Sequence, residues 1–218
     1  ASLAKLMAAL VLDEEADLAA TVTVSRAASA ATGTRLGVRA GETYLASDLF
    51  SAMLVRSAND VCRALADWHG GGSDDAFVAR MNARAAELGM QATHFANACG
   101  HDAPGQGSSA RDLAVLARAV MARPRIMDDA RRESFAFASL QGRRFTVRST
   151  NALLGQFPGA IGLKTGFTPG AGRCLVALAE RDGHQVLAIL LHAPDRWWDT
   201  VGLLELAFDE ARRNPPPE

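Results

Sequence analysis

Three short groupings in this chain carry side chains suited to nucleophilic chemistry. Ser2 and Lys5 lie three residues apart in Ser2-Leu3-Ala4-Lys5, Ser57 and Asn59 frame Ser57-Ala58-Asn59, and Lys164-Thr165-Gly166 sets a cation, a hydroxyl and a small residue in a row. On a helix, an offset of three puts Ser2 and Lys5 on one face. A lysine whose pKa is lowered by burial can take the proton of a serine hydroxyl and make it a nucleophile. At a strand edge, Gly166 lets a substrate backbone come close, and an extended peptide can add there by main-chain hydrogen bonds. Lys164 and Thr165 would offer a positive field and a donor to a carboxylate. Each grouping alone has an ordinary reading: a chance tripeptide, a helix cap at Ser2, a cap with its capping acid at Ser57 to Asp60. Their joint occurrence in this order sets them apart.

The elements that must position these groups follow from hydrophobic period. Leu3, Leu6, Met7, Leu10 and Val11 recur at helical spacing, which predicts a helix from Ser2 to about Glu15 with Ser2 at its cap or first turn. Thr21 to Val24 reads as a short strand, and Ser25 to Gly41 as loop with a second short strand near Arg35 to Val38. Helices are expected from Ser47 to Val55, Ser57 to Trp68, Ser73 to Leu88 and Ser109 to Met121, the last with a Ser-x-x-Asp cap. A polar, glycine-punctuated loop spans Thr93 to Gly105, and its His94 and His101 read as loop or core residues rather than ligands. After Glu133 the period changes to strands around Phe135 to Phe137, Arg144 to Val147, Ala160 to Gly166, Cys174 to Glu180 and Val186 to Leu191, with a hairpin turn at Asp182-Gly183. A last helix from Arg196 to about Arg212 carries Trp197, Val201, Leu204 and Phe208 on one face and is stopped by Pro215-Pro216-Pro217.

This pattern predicts an α+β fold: an antiparallel sheet with the terminal helices on one face and an all-helical insertion. It would form a single domain over 1–213, with a helical lobe at about 47–130, a sheet lobe of 1–46 plus 131–213, and a tail at 214–218. The cleft between the lobes would receive all three groupings. Apolar residues make up 49% and charged residues 22% of 218 residues, ordinary for a globular chain able to bury a core. A net charge of −1 argues against nucleic acid or an anionic membrane as principal partner. Cys62, Cys99 and Cys174 read as too few and too scattered for a disulfide scaffold or a zinc site, and no metal or cofactor is expected. The chain begins one residue before Ser2, so upstream sequence is expected to have been removed.

With these groupings in place, the sequence resembles the low-molecular-weight penicillin-binding proteins that act as serine D-alanyl-D-alanine carboxypeptidases. The resemblance runs from Ser2 to about Phe208. Asp48 to Asp60 is similar to the family's second-motif region, and Asp102-Ala103-Pro104-Gly105 with Ser108 to Asp112 to the loop and helix beyond it. Lys164 to Pro169 with Ala171-Gly172 matches its third motif, and Arg196-Trp197 resembles the arginine before the last helix. The family has about two strands ahead of its Ser-x-x-Lys, so the sheet is expected to lack them here. Cys99-Gly100-His101 also stands where the family usually carries Pro-His-Gly.

The resemblance implies Ser2 as nucleophile and Lys5 as its base, with an oxyanion hole from the backbone N–H groups of Ser2 and Phe167. It implies Ser57 and Lys164 as a proton relay, Asn59 orienting the substrate amide, and Thr165 and Arg196 holding a terminal carboxylate beside Gly166. The substrate would be a peptidoglycan stem peptide ending in D-Ala-D-Ala, β-lactams would be covalent inhibitors, and the protein would work outside the cytoplasm after signal-peptide removal. Membrane association would come only through an anchor outside this sequence. Two alternatives stand beside it: a class A-like β-lactamase, disfavoured because no Glu-x-x-Leu-Asn lies between Ser57 and Lys164, and a non-hydrolysing penicillin-binding sensor.

Overall fold

The computed structural model describes residues 1–213; the expected tail at 214–218 lies outside the described residues. Its first helix, α1 (Ala4–Glu15), is the centre of the molecule, with every residue from Ala4 to Leu12 buried. Apart from Lys5 that stretch is apolar all round, and such a helix has no solvent face and must be surrounded. Helices α3 (Ala46–Val55), α4 (Asn59–His69), α5 (Asp74–Glu87), α6 (Ala110–Met121) and α7 (Pro124–Ala130) supply that surround. The short α2 (Arg26–Ser29) precedes them, capped by Ser25, whose Oγ accepts from Ala28 N. The sequence reading stopped short of α7, which Pro124 opens at a first-turn position where its missing N–H costs nothing.

The strands form three antiparallel sheets rather than one. β1 (Thr21–Thr23) pairs with β2 (Thr43–Leu45), and β3 (Ser134–Ala138) with β4 (Arg144–Arg148). The main sheet has the order β5 (Ala160–Thr168), β6 (Gly172–Arg181), β7 (His184–Leu190). The Asp182-Gly183 turn joins the last two as expected, both residues taking positive φ (50° and 77°), the combination a tight two-residue hairpin needs. No strand forms at Arg35 to Val38. There the backbone N–H groups of Leu36, Gly37 and Val38 all donate to the Asp60 carboxylate, so the chain coils around an acid instead of pairing with a strand.

Strand alternation divides the core. Leu175, Ala177 and Ala179 of β6 pack with Leu204 and Phe208 of α8 (Arg196–Arg213), while Cys174, Val176 and Leu178 join the large cluster that contains α1. The two terminal helices therefore lie on opposite faces of the sheet, not on one. The reason is α1 itself, whose residues Ala4 to Leu12 are buried and, apart from Lys5, apolar, so that it must lie between helices and sheet. Among the described residues, no helix is long and apolar enough to cross a membrane.

Candidate active site

The N-terminus of α1 brings Ser2 against the edge of β5. Tight turns lead into the helix, with Ala4 N donating to Ala1 O (3.2 Å) and Lys5 N to Ser2 O (3.2 Å). Leu3, not Ser2, occupies the cap position, and no side chain caps the helix. The Ser2 hydroxyl is thus free of the structural task that its position suggested. A β-carbon at Gly166 would stand 3.3 Å from Ser2 N and 3.1 Å from the Ala1 Cβ, so the glycine is what admits the serine backbone to the strand.

Lys5 is fully buried, and its Nζ donates to three oxygens: Ser2 Oγ (3.1 Å), Asn59 Oδ1 (2.7 Å) and the Cys99 carbonyl (2.6 Å). None of these partners is a carboxylate. Burial, reinforced by the positive charge of Lys164, pulls its pKa well below the usual lysine range. A lysine whose neutral form is favoured in this way, beside a serine hydroxyl with no capping duty, is the arrangement that general-base activation needs.

Ser57 lies between α3 and α4 and has φ +62°, a left-handed conformation that a non-glycine residue adopts at a cost of about 1 kcal/mol or more. That twist turns its hydroxyl out of the helix end, where it accepts from Lys164 Nζ at 2.7 Å. Ser57 therefore caps nothing either; Ala58 holds the cap position of α4 and makes no side-chain cap. Asn59 opens α4 with its backbone N donating to Thr34 O (2.7 Å) and its Nδ2 to Thr32 O (2.7 Å). Those bonds orient the amide so that Oδ1 faces Lys5.

Lys164 is 1% exposed, and its Nζ also donates to Thr165 O (3.0 Å). Burial, then the nearby Arg196 charge, push its pKa down to about 7. Buried Thr165 shares a hydroxyl–hydroxyl bond with Thr150 (2.7 Å), and Phe167 is 61% exposed at the open side of the strand. Arg196, the first residue of α8, is more committed than its expected role requires. Its Nη1 donates to Gly166 O (2.9 Å) and Cys174 O (3.4 Å), its guanidinium lies over the Trp197 ring, and its buried Nε has no protein partner.

Side-chain hydrogen bonds thus join Ser2, Lys5 and Asn59 in one group and Lys164 and Ser57 in a second, while Thr165, Gly166 and Arg196 border the same edge of β5. Sequence reasoning missed three participants. The Cys99 carbonyl is a backbone group and leaves no trace in residue type. Thr150 is one hydroxyl in a polar run. Asp60 was read as a capping acid, although its carboxylate in fact holds the loop whose carbonyls orient Asn59. The cysteines also depart from expectation: Cys62 and Cys99, 37 residues apart, form a disulfide, and only buried Cys174 is free.

A sequence model of peptidase family S11, D-alanyl-D-alanine carboxypeptidase, matches residues 1–195. The D-alanyl-D-alanine carboxypeptidase DacB2 of Mycobacterium tuberculosis is 36% identical over 216 residues, covering 95% of this chain and 73% of the relative. The D-alanyl-D-alanine carboxypeptidase DacF of Bacillus subtilis is 28% identical, and the match covers 99% of this chain but 57% of that longer protein. Among solved structures, penicillin-binding protein D2 from Listeria monocytogenes, in its ampicillin-bound form, is similar at 33% identity. It superposes with a TM-score of 0.81 over 95% of this chain and 86% of that one. By the extent of the family match and by the identity to its relatives, the chain belongs to the D-alanyl-D-alanine carboxypeptidase family of serine peptidases.

Proposed function

We propose that this chain removes the terminal D-alanine from peptidoglycan stem peptides through an acyl-enzyme on Ser2, acting as one catalytic domain. The observation that carries the reading is Lys5, buried without a carboxylate partner and hydrogen-bonded to the Ser2 hydroxyl. Ser2 Oγ attacks the carbonyl carbon of the penultimate D-alanine while its proton passes to neutral Lys5. The oxyanion is stabilised by the backbone N–H groups of Ser2 and Phe167. Collapse breaks the peptide bond, and the leaving amine takes a proton through the Ser57 hydroxyl from Lys164, whose pKa of about 7 suits a donor near neutrality. Asn59 orients the substrate amide, and Thr165 and Arg196 hold its terminal carboxylate beside β5. Water then cleaves the ester and restores Ser2.

A β-lactam would enter the same path and stop at the ester, because its leaving nitrogen stays tethered to the acyl group. Action outside the cytoplasm follows from the substrate, and the Cys62–Cys99 disulfide supports it, since such bonds persist mainly in oxidising compartments. The deciding experiment incubates the protein with a D-Ala-D-Ala peptide and measures free D-alanine, alongside labelling by a fluorescent penicillin. Stoichiometric labelling with no D-alanine released would mean a penicillin-binding sensor; rapid penicillin turnover would mean a β-lactamase.

A further inference from the structure

A neutral lysine has two N–H bonds and one lone pair. As a base, Lys5 must aim that lone pair at the Ser2 hydroxyl, so its two N–H bonds must be taken up elsewhere. Of the three oxygens around Nζ, the Asn59 amide oxygen (2.7 Å) and the Cys99 carbonyl (2.6 Å) can only accept, whereas Ser2 Oγ can also donate. Filling the two obligate acceptors leaves the lone pair for Ser2. Two acceptors therefore set its direction, and Asn59 is only one of them.

The second is held by the disulfide. Asn59 is the first residue of α4, and Cys62 stands one turn further along it, bonded to Cys99 with Cα atoms 5.8 Å apart. The first turn of α4 thus carries both acceptors, one as its own side chain and one through a covalent link. Next to Cys99 the hydrogen bonds are local: Gly100 N and His101 N donate to Asn97 Oδ1, and Asn97 Nδ2 donates to His101 O. The loop's flanks are tied to α5, where Asn82 exchanges two bonds with Phe95, and to the strand end, where Thr168 and Gly170 donate to Asp102. None of these bonds reaches α4.

We propose that the Cys62–Cys99 disulfide positions the catalytic base, holding the Cys99 carbonyl where it takes the second N–H of Lys5 and turns the lone pair toward Ser2. The proposal rests on the reading of Lys5 as base. Cys62 touches neither substrate nor Lys5 in this scheme, so it is a positioning residue. Cys62→Ala keeps the Cys99 carbonyl and cuts only its tether.

The test measures acylation by a fluorescent penicillin in stopped flow, separating the rate constant of ester formation from the dissociation constant of the preceding complex. Cys62→Ala should slow ester formation by about tenfold or more, the scale of one lost hydrogen bond, and leave the dissociation constant unchanged. Cys99→Ala should cost the same, and the double variant no more, because all three remove one link. Val120→Ala, a core truncation in α6, controls for lost stability and should leave ester formation unchanged. An unchanged rate in Cys62→Ala, or equal losses in Cys62→Ala and Val120→Ala, would overturn the proposal. Should Cys62→Ala not fold, the wild-type disulfide is reduced by a dithiol, which supplies two electrons and two protons, and the thiols are alkylated. An acylation rate equal to that of the oxidised protein would then reject the idea, and a tenfold loss would support it. Wild-type protein that takes no label on Ser2 would remove the functional reading and this proposal together; a labelled wild type with an insensitive disulfide would remove only the proposal.

Discussion

Lys164 and Ser57, 107 residues apart, meet across the cleft in a 2.7 Å hydrogen bond that joins the sheet to the helical lobe. Lys164 reaches it as a buried amine with a pKa lowered to about 7, first by burial and then by Arg196. Lys5, held well below the usual lysine range by burial and by the charge of Lys164, is the group that must be neutral. Acylation should therefore rise with pH as Lys5 loses its proton and fall again near 7 as Lys164 loses the proton meant for the leaving amine. A pH profile of kcat/KM measures this. A profile flat from pH 6 to 9 would reject the relay.

Ser2→Ala should abolish covalent labelling by penicillin while the protein stays folded. Lys5→Arg should be as damaging, because arginine stays charged at any working pH and cannot accept the hydroxyl proton. Mass spectrometry of the labelled protein decides both. A penicillin adduct on Ser2→Ala, or near-normal acylation of Lys5→Arg, would move the nucleophile or the base elsewhere.

The depressed pKa of Lys164 also has a sign in stability. Below about 7 the lysine is protonated in both folded and unfolded chains, and the fold carries the whole cost of burying its charge. Between about 7 and the ordinary lysine value of 10.5 the unfolded state binds more protons, so folding stability rises with pH. The slope from this residue is at most about 1.4 kcal/mol per pH unit. Lys164→Met should flatten that rise in urea titrations at pH 7 to 10. Parallel curves for the two proteins would mean that Lys164 keeps an ordinary pKa.

Arg196→Ala should slow hydrolysis of a free-acid D-Ala-D-Ala peptide by about ten- to a hundredfold, the cost of a charge-assisted bond of about 1.5–3 kcal/mol. Hydrolysis of the C-terminal amide, already poor, should barely change. The Nη1 bonds to Gly166 O and Cys174 O give this residue a second duty at the strand edge. Equal losses on acid and amide would assign it to that duty alone. Because Arg196 lowers the Lys164 pKa, the variant's alkaline limb should also move upward.

Asp60→Asn should destabilise the fold by about 2–3 kcal/mol, because a buried carboxylate accepting several backbone N–H bonds becomes an amide with a donor facing donors. Leu36, Gly37, Val38 and Val61 are the donors concerned. Since the same loop orients Asn59 through Thr32 O and Thr34 O, acylation should fall as well. Thermal unfolding and penicillin labelling read the two effects. An unchanged melting temperature would show that the loop holds itself.

The chain's own order of residues determined a good deal. Helical period marked α1, α3, α4, α5, α6 and α8 to within a few residues. Asp182-Gly183 marked the hairpin, and the three motifs marked the chemistry, because side-chain type and local spacing are what such signals consist of. Tertiary structure decided the rest. Ser57 read equally well as a helix cap, and only the fold shows its hydroxyl facing Lys164 instead. The pKa of Lys164 depends on the burial that the packed lobes create and on an arginine 32 positions away. Cys62 and Cys99 read as scattered until their Cα atoms came within 5.8 Å. Asp60 read as a cap until a loop more than twenty residues upstream wrapped around it. Each of these is a contact between distant parts of the chain, set by how α1, buried and apolar from Ala4 to Leu12 apart from Lys5, draws helices and sheet around itself, and no local pattern encodes it.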